Sequence, residues 1–350
     1  MLVTVLAAAT VTLVNARSAT TLAGPPKAAT PTSVPSPTPI PSVFPGPLNG
    51  LATGRVNALR RPIAVVIDNL DPDARPQSGL TAASVVFETV AEGGITRLLA
   101  LYLENGAQSI GPIRSARPYF VSWAAGYDAI LVRAGGSPAA LRMLRTIPKV
   151  RDIDGLAADT GFVRATDRSS PHNLYTDSAS IRAIAAARGW SGRAYFPWLL
   201  HKPPAPFDMR AQAQSIHITF STAQVSSPAA YDVDYRYDPN QNAYVRFDGS
   251  QPFMDSVTNG QVAPTNVIVM FTRITPIPND PQGRMNVMTV GSGKALFFTE
   301  GHVRSGTWSK QTILSGIRFR DARGRPVALD PGSTWIEVTS PGDVQIGRQQ

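Results

Sequence analysis

The sequence predicts an α+β protein in which an α/β region precedes a mostly β region. Strand and helix patterns alternate up to about residue 200, and the helical period disappears beyond it. A proline-rich joint at residues 201–208 separates the two patterns. Because alternating elements are typical of α/β layers, we place an α/β region at residues 55–204. The short strand patterns that follow place a β-rich region at residues 205–343.

The composition indicates a folded core that needs no cross-links. The chain has 350 residues, of which 43% are hydrophobic and none is cysteine. A fold of about 300 residues buries roughly 75% of the surface that its unfolded chain exposes. The absence of cysteine excludes a disulfide scaffold, a Cys-ligated metal site and a thiol nucleophile. The net charge of +9 favours an anionic partner, although arginine enrichment from a biased genome composition is an equal explanation.

Residues 1–23 are predicted to form a signal peptide or an N-terminal anchor. The run from Met1 to Ala16 is apolar, and at about 1.5 Å per residue it is too short to cross a ~30 Å hydrocarbon core. It ends in Val14-Asn15-Ala16, which is typical of a cleavage site. No Lys or Arg precedes the run, so an uncleaved anchor and a buried helix stay open as alternatives.

Residues 24–54 are predicted to form a disordered linker rich in Pro, Ser and Thr. Nine of the 25 residues from Gly24 to Leu48 are proline. Such a composition cannot bury a core and adopts extended, polyproline-like conformations. An apolar leader followed by this linker predicts an extracytoplasmic protein, either secreted or tethered to a membrane at the cell envelope.

Each element of the α/β region has its own sequence signal. A helix over 138–147 begins with Pro138, which suits the first helical position. A second helix over 177–190 has Asp177 as its N-cap and Gly189 as its C-terminal stop. Strands are predicted where apolar runs end in polar residues or glycine turns, at Ile63–Asn69, Ser84–Val90, Arg97–Glu104 and Tyr127–Pro138.

The β-rich region is predicted from short runs of alternating or β-branched residues. Turn residues separate these runs, as at Asp238-Pro239-Asn240, Arg323-Gly324-Arg325-Pro326 and Asp330-Pro331-Gly332. The strand candidates are SIHITFS, AYDVDYRYD, AYVRFDG, NVIVMFTRI, RMNVMTVG, KALFFTEG, GIRFRD and STWIEV.

Several long motifs occur in order along the folded part of the chain. In the first region they are RPIAVVIDN, ARPQSGL, VAEGGITRLLALY, IGPIRSARPYF, AGGSP and SPHNLY. In the second region GKALFFTEGHVRSGTWSK precedes GRPVALDPGSTWIEV. With these motifs the chain resembles, over about residues 60–340, the DUF3048 family of bacterial extracytoplasmic proteins.

The resemblance implies a location and an architecture but no reaction, because the family's own function is undefined. Lipoprotein members of the family carry an N-terminal lipobox cysteine, and this chain has no cysteine. The sequence therefore favours secretion or a peptide anchor over a lipid anchor.

Polar residues that could bind a ligand concentrate in the α/β region. Asp68 and Asn69 follow a buried strand, and the carboxyl ends of strands form the ligand crevice in open α/β sheets. Glycine pairs in the nearby loops let the backbone approach a ligand closely. We therefore predict a ligand-binding site formed by Asn69, Arg75, Gln77, Glu92, Arg97, Arg114, Ser115, Arg117, Gly135, Gly136 and Asn173.

The spacing of Arg114 and Arg117 predicts a clamp for an anion. Residues three apart share a face on a helical turn, whereas on a strand they point to opposite sides. Two guanidinium groups on one face can bind phosphate or carboxylate in a bidentate manner. The alternative is that these two arginines and Arg97 form salt bridges with Glu88 and Glu92 that stabilise loops.

Asp68 and His172 are the candidates for catalysis. A loop histidine such as His172 can act as a general acid or base near neutral pH. It needs a carboxylate partner, and the sequence leaves Asp68, Asp167 and Asp177 open. The alternative is that His172 and Asn173 hydrogen-bond a turn that precedes the second helix.

Two classes of function follow from these residues. The first is a binding or scaffold protein that needs no cofactor. Its partner would be an anionic glycan, lipid phosphate or peptide, or another envelope protein. Nucleic acid is excluded because the chain carries an export signal and its cations are scattered. Contact with a membrane is expected only through the leader.

The second class is an envelope phosphotransferase or hydrolase that uses Mg²⁺ on a pyrophosphate-linked or glycan substrate. The order of strand, arginine loop and glycine loop resembles that of the LytR-CpsA-Psr phosphotransferases, although no signature motif matches. By this resemblance Asp68 would bind the metal ion. Arg97, Arg114 and Arg117 would then bind the pyrophosphate.

Overall fold

The computed structural model describes residues 43–158, 160–220 and 228–347 of the chain. The predicted leader at 1–23 and the first part of the predicted linker lie outside these residues. Residues 43–54, which the sequence assigned to the disordered linker, form two short strands instead. Leu48 is fully buried, and its amide donates a hydrogen bond to Glu104 Oε1 (2.7 Å). The ordered chain therefore begins before the predicted boundary at residue 55.

The first region contains four α-helices and ten strands among its described residues. Asp177 has the predicted N-cap role, because its carboxylate accepts a hydrogen bond from the amide of Ser180 (2.9 Å). In chain order the elements are β1 Val43–Pro45, β2 Ala52–Gly54, α1 Arg55–Leu59, β3 Ile63–Ile67, β4 Val85–Val90, β5 Thr96–Tyr102, α2 Pro118–Gly126, β6 Ile130–Arg133, α3 Pro138–Thr146, β7 Arg151–Asp154, β8 Val163–Arg164, β9 Leu174–Tyr175, α4 Ser178–Ala187 and β10 Leu200–His201.

The second region consists of strands, and no α-helix occurs in its described residues. The strands are β11 Ser215–Ile218, β12 Val233–Asp238, β13 Ala243–Asp248, β14 Gln251–Pro252, β15 Met254–Asp255, β16 Gly260–Gln261, β17 Asn266–Phe271, β18 Ile274–Pro276, β19 Met285–Val287, β20 Gly291–Thr299, β21 His302–Lys310, β22 Arg318–Asp321, β23 Ala328–Leu329, β24 Thr334–Thr339 and β25 Val344–Gly347.

Ten strands from both regions form one mixed sheet, in the order β22-β21-β20-β17-β24-β4-β5-β3-β6-β7. Strands β3, β6 and β7 are parallel neighbours, as are β4, β24 and β17. Strand β5 runs antiparallel between β3 and β4. Strand β4 of the first region pairs with β24 of the second, so both regions contribute strands to this sheet.

This sheet is the middle of three layers. One face packs on α2 and α3, where Phe87 stacks on Trp123 with ring centroids 4.8 Å apart. The other face packs on α4 and on a five-stranded sheet of order β14-β13-β12-β11-β25. Burial on both faces explains why β3, β4 and β5 read as continuous apolar runs rather than alternating patterns.

The predicted fold class is confirmed, and the α-helices of the described residues all lie in the first region. The four strands and two helices predicted there are found at their expected places. Helix α2 was not predicted, because every residue after Pro118 is buried and the segment has no polar face to reveal a helical period. Within the described ranges, no helix combines the length and apolar character needed to cross a bilayer.

Candidate functional site at the carboxyl edge of the sheet

Several of the predicted site residues gather at one edge of the ten-stranded sheet. Strands β3, β4 and β6 run in the same direction and are followed at this edge by Asp68, Glu92 and Gly135. Arg97 reaches the same edge because it lies near the start of β5, which runs the opposite way. The topology thus collects residues that lie far apart in the sequence.

Asp68 is the buried carboxylate around which this edge is built, with a side chain that is 1% exposed. Its Oδ2 accepts hydrogen bonds from Nε of Arg114 (2.8 Å) and from Nδ1 of His172 (2.7 Å). Its Oδ1 accepts the backbone amides of Asn69 (3.0 Å) and Leu70 (3.3 Å). Both carboxylate oxygens are therefore fully used by donors from the protein.

The surroundings of Asp68 keep it ionised. Burial by itself would raise the pKa of this carboxyl. The hydrogen bond with His172 and the positive charges of Arg97 and Arg114 outweigh burial and lower the pKa. Asp68 therefore carries a negative charge that orients the guanidinium of Arg114 and the imidazole of His172.

His172 is held by Asp68, which resolves the three partners that the sequence left open. Asp177 instead caps α4. Because Nδ1 of His172 binds the carboxylate, Nε2 is the ring nitrogen that can serve a ligand. Within the described part of the chain no protein group hydrogen-bonds this Nε2. The catalytic candidates Asp68 and His172 are thus in direct contact.

Glu92 neutralises two other predicted ligand-binding arginines. Its Oε1 lies 2.7 Å from Nη2 of Arg97 and 2.5 Å from Nη2 of Arg117. Burial would raise the pKa of Glu92, but the charges of both arginines lower it. Arg97 also has a raised pKa, since the charges of Glu92 and Asp68 outweigh the effect of its burial. Arg97 and Arg117 therefore form a compensated, largely buried ion triad with Glu92.

Arg114 and Arg117 consequently bind different carboxylates rather than forming one pair. The side chain of Arg114 is 24% exposed, against 6% for Arg117 and 3% for Arg97. Arg114 is thus the most accessible arginine of the predicted set at this edge. Glu88, which the sequence considered as a further partner of these arginines, pairs with Arg246 of β13 instead.

The loops after β6 and before α2 support one another at this edge. Ser115 donates its hydroxyl to the carbonyl of Ala134 (3.0 Å). Gly135 adopts a φ of +67°, and its amide donates to Oδ1 of Asp154 (2.9 Å). Gly136 pairs with Ala116 through an isolated bridge. Ser115, Gly135 and Gly136 therefore shape the edge, and all three are partly exposed.

Asn69, Arg75 and Gln77 link the edge to the five-stranded layer. The side-chain oxygen of Asn69 accepts from Nε of Arg75 (2.9 Å) and from Nε2 of Gln77 (2.7 Å). Arg75 also forms an ion pair with the carboxylate of Asp248 (3.1 Å), and its guanidinium lies over the Tyr231 ring. These predicted residues are therefore neighbours, but their polar atoms chiefly hold the layers together.

A cleft of about 620 Å³ opens beside His172. Its walls include Arg75 and Arg168, and Arg168 donates Nη2 to the carbonyl of Pro76 (2.8 Å). Asn173 closes the loop behind it by donating to the carbonyls of Ala165 (3.0 Å) and Arg168 (3.2 Å). The sequence missed Arg168 because it lies in an irregular loop without a motif. The remaining lining residues are Pro72, Asp73, Asp167, Ser169 and Ser170.

The hydrogen bonds that Asp68 accepts make its carboxylate unsuitable as a ligand of a magnesium ion. Mg²⁺ requires carboxylate oxygens that are free to coordinate it. Four hydrogen-bond donors already occupy the two oxygens of Asp68. Across the described residues no three His, Cys, Asp or Glu side chains converge as a metal-binding group.

Comparison with known proteins places this site in the first of two matched domains. "Protein of unknown function (DUF3048) N-terminal domain" matches residues 48–191, and the corresponding C-terminal domain matches residues 222–336. The chain is 33% identical over 293 residues to "Putative lipoprotein YerB" of Bacillus subtilis (strain 168), which covers 83% of this chain and 85% of that protein. The crystal structure of YerB protein from Bacillus subtilis has a TM-score of 0.76 and 32% identity, covering 87% of this chain and 99% of that one.

Proposed function

The chain belongs to the DUF3048 family, and on that basis we propose that it is an exported cell-envelope protein that binds an anionic ligand beside Arg114 and His172. Export is supported by the name of the lipoprotein relative and by the apolar leader and proline-rich linker of the sequence. The ligand class is a phosphate or carboxylate carried by a glycan, a lipid or a peptide.

The geometry of Arg114 carries this proposal. Asp68 holds its Nε, and within the described residues its two terminal nitrogens make no hydrogen bond. The guanidinium is therefore fixed in orientation while it keeps donors for a ligand. A pre-oriented fork of this kind matches phosphate or carboxylate and loses little entropy on binding.

His172 adds a second ligand contact next to Arg114. Both side chains bind the same oxygen of Asp68, at 2.8 Å for Arg114 and 2.7 Å for His172. The guanidinium of Arg114 and the imidazole of His172 therefore lie side by side, and we propose that Nε2 of the imidazole is the second contact for the anionic group. The neighbouring cleft, with Arg75 and Arg168 in its walls, has room for the uncharged remainder of the ligand.

Replacing Arg114 with glutamine is expected to abolish ligand binding and to leave the fold intact. We would measure thermal shifts with pyrophosphate, an isoprenoid pyrophosphate analogue and peptidoglycan fragments. A ligand present at 100 times its Kd stabilises the wild type by about 2.7 kcal/mol, and the R114Q variant should lose this shift. Arg145, which is exposed in the last turn of α3, provides the matched control, since R145Q removes one charge from outside the predicted set of site residues. Normal binding by R114Q would refute the proposed site.

A second candidate function is acid–base catalysis on such a ligand, and the Asp68–His172 contact favours it. A carboxylate on Nδ1 fixes the tautomer and the orientation of the ring, and it stabilises the imidazolium that forms when Nε2 takes a proton. Asp68 would then act as a positioning residue, and His172 would transfer the proton. The donors around Asp68 leave no role for a metal ion in this scheme.

The two candidates differ in what the H172A variant does. A catalyst should cleave a pyrophosphate-linked glycan substrate in the presence of EDTA, and H172A should reduce turnover by roughly 10²–10⁴-fold while Arg114 preserves part of the thermal shift. Absence of turnover by the wild type, together with a normal thermal shift, would leave the binding function and exclude the catalytic one.

A further inference from the structure

Much of the protein's positive charge lies in one segment that is remote from the site described above. Residues 291–325 contain seven Lys or Arg residues and two carboxylates, against a net charge of +9 for the whole chain. This segment forms β20, β21 and β22 at one end of the ten-stranded sheet. The carboxyl-edge site lies near β3 and β5, on the other half of the sheet order.

Strand register puts three of these cations on one face. Lys294 pairs with Thr307, and Thr307 pairs in turn with Arg320, so Lys294 and Arg320 lie in one row across the strands with Thr307 between them. Arg318 precedes Arg320 by two residues and therefore lies on the same face, about 7 Å along the strand. Lys294 lies two strands away from Arg320, at about 10 Å.

This face is open and carries no carboxylate. Lys294, Thr307, Arg318 and Arg320 are all exposed, whereas Trp308 and Phe319 on the opposite face are buried in the core. The hydroxyl residues Ser292, Ser305 and Ser309 lie on the same face, as do the half-buried Leu296, which packs against the core, and Val303 further along β21.

The acidic residues of the segment are engaged elsewhere. Asp321 points to the opposite face and binds Arg325 in the adjoining turn (2.8 Å). Glu300 lies beyond the end of β20 and pairs with Lys202 (2.5 Å). The face therefore keeps its positive charge uncompensated among the described residues. Arg320 is also steadied, because it donates to the carbonyl of Gly324 (2.5 Å).

We infer that this face, formed by Lys294, Arg318 and Arg320 with the hydroxyls between them, binds a linear phosphate-bearing polyanion. A flat sheet with cations about 7 to 10 Å apart can contact several phosphates of one extended chain at once. Serine and threonine hydroxyls between the cations can donate further hydrogen bonds to phosphate oxygens.

The composition of the face favours a polymer over a membrane surface. Proteins that bind membranes by a surface patch combine cations with apolar side chains that enter the headgroup region. Here Thr307 and Ser309 lie next to the cations, and Trp308 and Phe319 point into the core. Val303, the exposed apolar residue of this face on β21, lies four residues from Thr307. A flexible polyanion needs only charge and hydrogen-bond donors, both of which this face supplies.

The salt dependence of binding to medium-chain inorganic polyphosphate tests the inference. Each phosphate neutralised on a single-stranded polyanion contributes about 0.7 to the slope of log K against log salt concentration. Three cations therefore contribute a slope of about 2, which is roughly a 16-fold loss of affinity between 50 and 200 mM salt. The variant K294Q/R318Q/R320Q should bind more weakly and lose this part of the slope.

A second triple variant provides a matched control for charge and fold. R142Q/R145Q/K149Q removes the same charge from exposed positions of α3 and the turn after it, and it should keep the wild-type slope. All six positions are exposed, so both variants should keep the wild-type Tm. R114Q should also keep the slope, which separates this face from the ligand site of the proposed function.

Two outcomes would overturn the inference. Equal losses in the two triple variants would show that polyphosphate responds to net charge alone. Unchanged polyphosphate binding by K294Q/R318Q/R320Q, together with lost binding to phosphatidylglycerol vesicles, would assign the face to an anionic membrane instead.

Discussion

Replacing Arg246 with methionine is expected to lower the free energy of unfolding by about 3–5 kcal/mol, because it leaves buried carboxylates without their cation. Arg246 lies on β13 and is fully buried. Its guanidinium lies 2.6 Å from Glu88, 2.8 Å from Asp248 and 2.9 Å from Glu337. The central carbon of this guanidinium group, Cζ, also lies 4.4 Å from the ring centre of Trp335. Among the described residues, no other side chain forms ion-pair contacts with three buried carboxyl groups at once.

Urea denaturation followed by tryptophan fluorescence would measure this loss. Arg236 on the neighbouring strand β12 provides the control, because it is exposed and stacks on Phe247 at 4.3 Å. We expect R236M to cost about 1 kcal/mol or less. A loss below about 1 kcal/mol for R246M would show that the buried carboxylates are neutralised by protons rather than by Arg246.

The R246M effect bears on how the two regions hold together. Glu88 belongs to β4 of the first region, whereas Arg246 and Glu337 belong to the second. Glu88 and Glu337 are direct neighbours on parallel strands, so their carboxylates share one side of the sheet. The cluster therefore joins the ten-stranded sheet to the five-stranded layer at the centre of the molecule.

Replacing Glu337 with glutamine is expected to remove a large part of the pH dependence of stability between pH 6 and 7.5. Burial and the neighbouring charge of Glu88 raise the pKa of Glu337 to about 8, despite the opposing charge of Arg246. The folded protein therefore holds a proton that the unfolded chain releases near its ordinary pKa. Stability from this group is complete at low pH and is lost as the pH rises towards 8.

The expected loss for the wild type is about 1.4 kcal/mol per pH unit, or about 2 kcal/mol from pH 6 to 7.5. Glutamine mimics the protonated acid, so E337Q should lack this contribution. Asp321 is a suitable control, because the backbone amide of Arg325 lowers its pKa and it stays ionised throughout this range. D321N should retain the wild-type pH profile. Parallel profiles for the wild type and E337Q would contradict a buried protonated carboxyl.

The charge balance of the cluster supports this expectation. Arg246 and Arg75 supply two positive charges, and Glu88, Asp248 and Glu337 would supply three negative ones if all were ionised. One bound proton restores neutrality in a region that water does not reach. Glu337 suits that proton, because its Oε2 is buried and no group among the described residues forms a hydrogen bond with it.

Local patterns in the sequence determined the elements and the class of the fold. The apolar run of β3, the proline that begins α3 and the N-cap of α4 each act through neighbouring residues. The relationship to DUF3048 was also identified from the sequence alone, because each family motif consists of consecutive residues. Helix α2 was not predicted, because a helix that is buried on nearly all sides has no alternation of polar and apolar faces in its sequence.

Partnerships between distant residues were decided only by the tertiary structure. The sequence selected Asp68, His172, Arg114 and Arg117 as residue types. It could not show that Asp68 holds both His172 and Arg114 while Glu92 takes Arg117. Those pairings depend on the order and direction of strands that are separated by tens of residues. A hydrogen bond depends on the distance and orientation of its donor and acceptor, and for residues far apart in the sequence both are set only when the layers of the fold pack together.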